Sequence, residues 1–70
     1  MNTTLLKSII VANNDTQVKL AEYLGIQTST LSFKITGKTD FTQSEIRMII
    51  VRYNLTPQQV LEIFFNQVRS

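Results

Sequence analysis

Seventy residues, 43% of them hydrophobic, suffice for one small core, because a chain of this length buries only about 60% of its unfolded surface on folding. The lack of any cysteine or histidine excludes a disulfide framework and a zinc cluster. A net charge of +2, from seven Lys or Arg and five Asp or Glu, is too mild to argue for a phosphate partner, and no apolar run approaches the roughly 20 residues of a membrane span.

In chain order, the first helix is expected to start after Thr3 or Thr4 as N-cap and to run to about Ala12, with Leu5, Leu6, Ile9 and Ile10 as its apolar stripe. Asn13, Asn14 and Asp15 tolerate turn and left-handed conformations and form a loop. Thr16 then caps a second helix whose inner face is Leu20, Ala21 and Leu24. Gly25 makes the corner, since it adopts positive φ without a Cβ clash, and Ile26 plugs that corner into the core. A third helix spans about Thr28 to Thr36, points Leu31 and Ile35 inward and stops at Gly37. Glutamine at position 27 is a poor cap, which leaves the role to Thr28.

Two stronger start signals follow. Thr42 and Glu45 form a capping box, with Phe41 and Ile46 placed as a hydrophobic staple. The resulting fourth helix carries Ile46, Ile49, Ile50 and Tyr53 on one face, with Arg47 and Arg52 on the other, and ends at Asn54. The device repeats with Thr56 as cap, Pro57 at the first helical position, Gln59 completing the box and Leu55 stapling to Val60. Leu61, Phe64, Phe65 and Val68 then space an apolar stripe along a fifth helix. These elements predict an all-α fold, a single domain over residues 1–70 with about five helices and no competing strand.

Within Thr16 to Gly37, the spacing of Gln17, Ala21, Gly25, Ile26 and Leu31 resembles the Cro/C1-type (XRE-like) helix-turn-helix of phage repressors and related regulators. The segments Gly37 to Ile46 and Thr56 to Phe65 extend the likeness to small regulators at the lysis-lysogeny switches of temperate phages of lactic-acid bacteria. Antirepressors, also called modulators of repression, are the nearest in pattern, with Cro-like proteins beside them. The resemblance implies a lambda-repressor-like DNA-binding fold, a place in the cytoplasm of a bacterial host, and a glutamine at position 17 that contacts DNA phosphate and braces the recognition helix.

Chemistry narrows the choice further. The five acids, Asp15, Glu22, Asp40, Glu45 and Glu62, are scattered, and two glycines cannot build a phosphate-cradling loop, so no catalytic residue, cofactor, metal or small-molecule substrate is expected. If Leu31 and Ile35 point inward, then Gln27, Thr28, Ser29, Ser32, Phe33 and Thr36 point outward. On a DNA reader, Gln27 would bond adenine, Thr28 or Ser29 bases or phosphates, and Lys19, Lys34 and Lys38 the backbone or an acidic partner. The plainer alternative is a solvated polar face on a helical bundle.

The resembling family commonly places an arginine or another long polar residue near Thr28 or Phe33, and here neither position is basic. Phe33 has three readings: an anchor in a protein interface, a contact to a thymine methyl, or a side chain folded back onto the core. The expectation is a non-enzymatic regulator whose outer face docks on the DNA-binding domain of the cognate phage repressor and blocks operator binding. The alternative is a Cro-like repressor that binds operator DNA directly, and a weaker third is a structural module. Phe64 and Phe65 are adjacent, so one can face the core while the other lies nearer the surface; the fifth helix either packs both under the bundle or offers a homodimer seam.

Overall fold

Local signals for starting and stopping helices set the architecture of the computed structural model, which describes residues 3–65. Five helices follow in order: α1 Thr3–Ala12, α2 Gln17–Leu24, α3 Thr28–Ile35, α4 Gln43–Tyr53 and α5 Pro57–Phe64. The expected all-α fold is what the chain adopts, and no strand occurs among the described residues.

The helix starts differ in quality. The Thr16 hydroxyl accepts the Lys19 backbone N–H at 3.1 Å, and both capping boxes close, Thr42 with Glu45 and Thr56 with Gln59. Gln27 occupies the N-cap of α3 with extended φ and ψ and makes no side-chain cap bond. Thr28, expected in that role, lies inside the helix, so α3 starts without the ~1 kcal/mol that a serine or threonine cap supplies. Thr3, the first described residue, already lies within α1, and its hydroxyl donates across the fold to the Ile35 carbonyl at 2.7 Å.

The first four helices stop in one way. Asn14, Gly25, Gly37 and Asn54 all have positive φ, and the residue after each returns its N–H to the helix: Asp15 to Ile10, Ile26 to Ala21, Lys38 to Phe33 and Leu55 to Ile50, at 2.9 to 3.1 Å. These left-handed endings satisfy carbonyls that a helix end would otherwise leave without donors. They also turn the chain sharply, which keeps the connections short.

One core results. Leu6, Ile9 and Ile10 of α1, Leu20, Ala21 and Leu24 of α2, Leu31 and Ile35 of α3, Ile49 and Tyr53 of α4, Leu55, and Ile63 and Phe64 of α5 are buried together. Ala21 lets α2 and α3 pack directly against each other, and Ile26 covers the corner between them. Phe41 stands edge-on to Phe64, with ring centroids 5.6 Å apart.

The fifth helix corrects the sequence reading. Its inward stripe is Ile63 and Phe64, with Val60 partly buried beside them, while Leu61 and Phe65 stay exposed, so the helix is rotated by about one residue from the expected stripe. Val68, the last member of that stripe, lies outside the described residues. No helix among the described residues is long and apolar enough to cross a membrane.

Candidate interaction face on the third helix

The outer surface of α3 is positioned from outside the helix rather than by its own sequence. Leu31 and Ile35 are almost fully buried, so their register fixes which side chains remain in water. Gln27, Thr28, Ser29, Phe33 and Thr36 are exposed; Ser32 is half-buried, as is Gln17 at the start of α2. The expected outward face is therefore present, with Ser32 at its margin. Three residues, Gly25 to Gln27, connect α2 to α3.

Phe33 is 49% exposed, which removes the reading in which it folds back onto the core. Its ring meets the Lys38 ammonium, 5.4 Å from the centroid, an arrangement that holds a cation over an aromatic face at the edge of the surface. The Thr36 hydroxyl is less available than its exposure implies. It lies 3.0 Å from the Ser32 carbonyl and 3.2 Å from that of Phe33, within its own helix, and donates there.

The three lysines separate. Lys19 is exposed on the first turn of α2, and Lys38 is exposed beside Phe33. Lys34, expected to reach phosphate or an acidic partner, turns inward. Its ammonium donates to Glu45 Oε1 at 2.8 Å and to the Asp40 carbonyl at 3.2 Å, and both charged side chains are nearly buried, at 12% and 13% exposure. Burial alone would push the Glu45 carboxyl up. The Lys34 ammonium and the N–H and hydroxyl of Thr42 outweigh that effect and hold the group below its ordinary value. Lys34 thus ties the end of α3 to the start of α4, and its charge is neutralised where it stands.

A second ionic cluster lies at the α1–α2 loop, and its long-range pairing has no signal in local spacing. Arg52, expected on the solvent side of α4, instead forks onto Asp15, with Nε to Oδ2 at 2.8 Å and Nη2 to Oδ1 at 3.1 Å. The Tyr53 hydroxyl donates to the same carboxylate at 2.6 Å, and the Arg52 guanidinium lies 4.6 Å from the centroid of the Tyr23 ring. The Arg52 guanidinium, then the Tyr53 hydroxyl and the Thr16 N–H, hold the Asp15 carboxyl well below the usual carboxylate range despite its burial. The Tyr23 hydroxyl donates to the Met48 carbonyl at 3.2 Å, completing a link from α2 to α4. Both clusters are structural, and neither contributes a side chain to the outer face of α3.

No group of three or more Asp or Glu side chains that could hold a metal ion occurs among the described residues. The chain matches no family model, no curated protein and no solved structure.

Proposed function

We propose that this chain is a non-enzymatic regulator of a temperate-phage genetic switch, an antirepressor that docks the outer face of α3 on the DNA-binding domain of the phage repressor. The carrying observation is the composition of that face. Gln27, Thr28 and Ser29 form an uncharged polar rim, Phe33 is half exposed beside Lys38, the single free cation of that face among the described residues, and Lys34 is neutralised by Glu45. A duplex reader gains most of its affinity from cations on phosphate and much of its discrimination from bidentate side chains. A protein interface instead uses a rigid aromatic anchor within a rim of hydroxyl and amide groups, and it is depleted of charge at its centre. The arrangement of Phe33 fits the second description, and covering the repressor's own recognition helix would lift repression.

One observation favours the alternative, a Cro-like repressor that binds operator DNA. With no side-chain cap at Gln27, the first N–H groups of α3 lack a protein side-chain acceptor, and such a helix start accommodates a phosphate. Lys19 and Lys38 would then flank it. A titration of the chain against purified repressor and against operator duplex, across a salt series, separates the two readings. The antirepressor predicts a complex with repressor whose affinity changes little with salt. Sequence-selective duplex binding by this chain alone, lost steeply as salt rises, would establish the Cro-like reading instead.

A further inference from the structure

The end of α3, the loop that follows it and the end of α5 enclose a cleft of about 530 Å³, the size of a ligand site. Gly37, Thr39 and Asp40 of the loop line it together with the rings of Phe41, Phe64 and Phe65. The cleft adjoins the Phe33 face through the chain itself, because Lys38, whose ammonium lies over the Phe33 ring, stands between Gly37 and Thr39. Phe41 is half-buried and edge-on to the buried Phe64, so these two rings are held by the core. Phe65 is 50% exposed and has no ring or cation partner among the described residues.

The donors and charges of the cleft select its occupant. The N–H groups of Gly37, Lys38 and Thr39 all turn back to carbonyls of α3, at 2.9 to 3.4 Å, and that of Thr42 goes to Glu45, so these amides offer an anion nothing. The Lys34 ammonium, also in the lining, is taken by Glu45 Oε1 and the Asp40 carbonyl. What remains is the Asp40 carboxylate, exposed and without a hydrogen bond or ion pair among the described residues. An anion would meet this carboxylate and the negative faces of the rings. A guanidinium fits better, since it stacks flat on an aromatic face while its N–H fork reaches a carboxylate. An ammonium, more strongly hydrated and without a plane, does only the second.

We infer that this cleft receives an arginine side chain of the protein on which the α3 face docks. The inference rests on the antirepressor reading and specifies the chemistry of the partner. A domain that holds a duplex does so with Arg and Lys on phosphate, so the surface it turns to DNA is rich in such cations. Docked on α3, that surface closes over Phe33 and lays an arginine into the neighbouring cleft, against the Phe65 ring and the Asp40 carboxylate. The arginine is then withdrawn from phosphate, so the contact that adds affinity for this chain also removes part of the partner's hold on its operator.

Calorimetric titration of the full chain with the DNA-binding domain of the repressor tests the contact. Asp40→Asn and Phe65→Ala should each weaken the complex by about tenfold. Both side chains are exposed, so circular dichroism should show an unchanged helical fold. Combining Asp40→Asn with alanine at each arginine of the repressor domain in turn should single out one arginine whose removal costs little once Asp40 is gone, and lysine at that position should recover little of the loss. A complex as tight in Asp40→Asn as in the parent chain, while Phe33→Ala weakens it, would overturn the arginine contact and leave the antirepressor reading standing. So would a set of cycles in which no arginine couples to Asp40. A parent chain that binds no repressor would overturn the functional reading and the contact together, and is told apart because Phe33→Ala then has nothing to weaken.

Discussion

The two halves of this molecule are secured by different means. α4 and α5 carry their own instructions: each begins with a complete capping box, a threonine and a Glu or Gln three residues on. α3 has none of these. It is eight residues long, starts at an uncapped Gln27, and is fixed from outside by its packing on α2, by the Thr3 hydroxyl on the Ile35 carbonyl, and by Lys34 on Glu45. An isolated helix of that length would not persist in water, so its stability is tertiary. The difference teaches that the outer side chains of α3 have few structural duties. Substitutions at Gln27, Thr28, Ser29 or Phe33 should therefore cost the fold little, while the second half keeps the frame.

Mutations that unfasten the frame should have the largest effects. Asp15→Ala leaves the Arg52 guanidinium and the Tyr53 hydroxyl without their shared acceptor, and the expected loss is about 3 kcal/mol in urea unfolding. A loss under a few tenths would show that the cluster is incidental. The same group governs acid stability. Its folded pKa is depressed, so its contribution is fully present above the ordinary carboxylate value near 4 and is lost progressively as pH falls toward the lower folded value. Unfolding free energies measured between neutral and strongly acidic pH should therefore fall in the parent chain, and fall less in Asp15→Asn.

On the α3 side the effects should divide between binding and stability. Phe33→Ala should weaken the complex with repressor by about 2 kcal/mol, a thirtyfold change or so, while the melting temperature barely moves, since the ring is half in water. Equal binding by the variant would remove the anchor. Lys34→Met does the reverse. It should lower stability by about 1 kcal/mol through the unpaired Glu45 and leave repressor affinity unchanged, as calorimetry of folding and of binding would report. The smallest change repairs the weak start of α3: Gln27→Ser should add about 0.5 to 1 kcal/mol by supplying the missing cap, checked by chemical denaturation.

The sequence was legible where structure is local. Thr16, Thr42 and Thr56 as caps, both boxes, the positive φ of Gly25 and Gly37 and the helix end at Asn54 follow from contacts three to six residues apart, and all of them hold. It was not legible where the partner is remote. Asp15 and Arg52 are 37 residues apart and Lys34 and Glu45 are 11 apart, so nothing in periodicity distinguishes them from solvated charges. α5 failed for a different reason. Leu61, Ile63, Phe64 and Phe65 allow two apolar stripes about 100° apart on one short helix, and only packing against α1 and the rest of the core chooses Ile63. For the candidate face, spacing alone placed the outward residues, but it took the fold to show that Lys34 does not belong to them.

The central claim, that the α3 face engages protein rather than phosphate, is tested most directly by adding the chain to a preformed complex of phage repressor and fluorescent operator duplex at physiological salt. The account predicts release of free duplex as the chain and repressor associate, with release much reduced for Phe33→Ala. Transfer of the duplex to the chain itself, or repressor left on its operator at saturating chain, would contradict it.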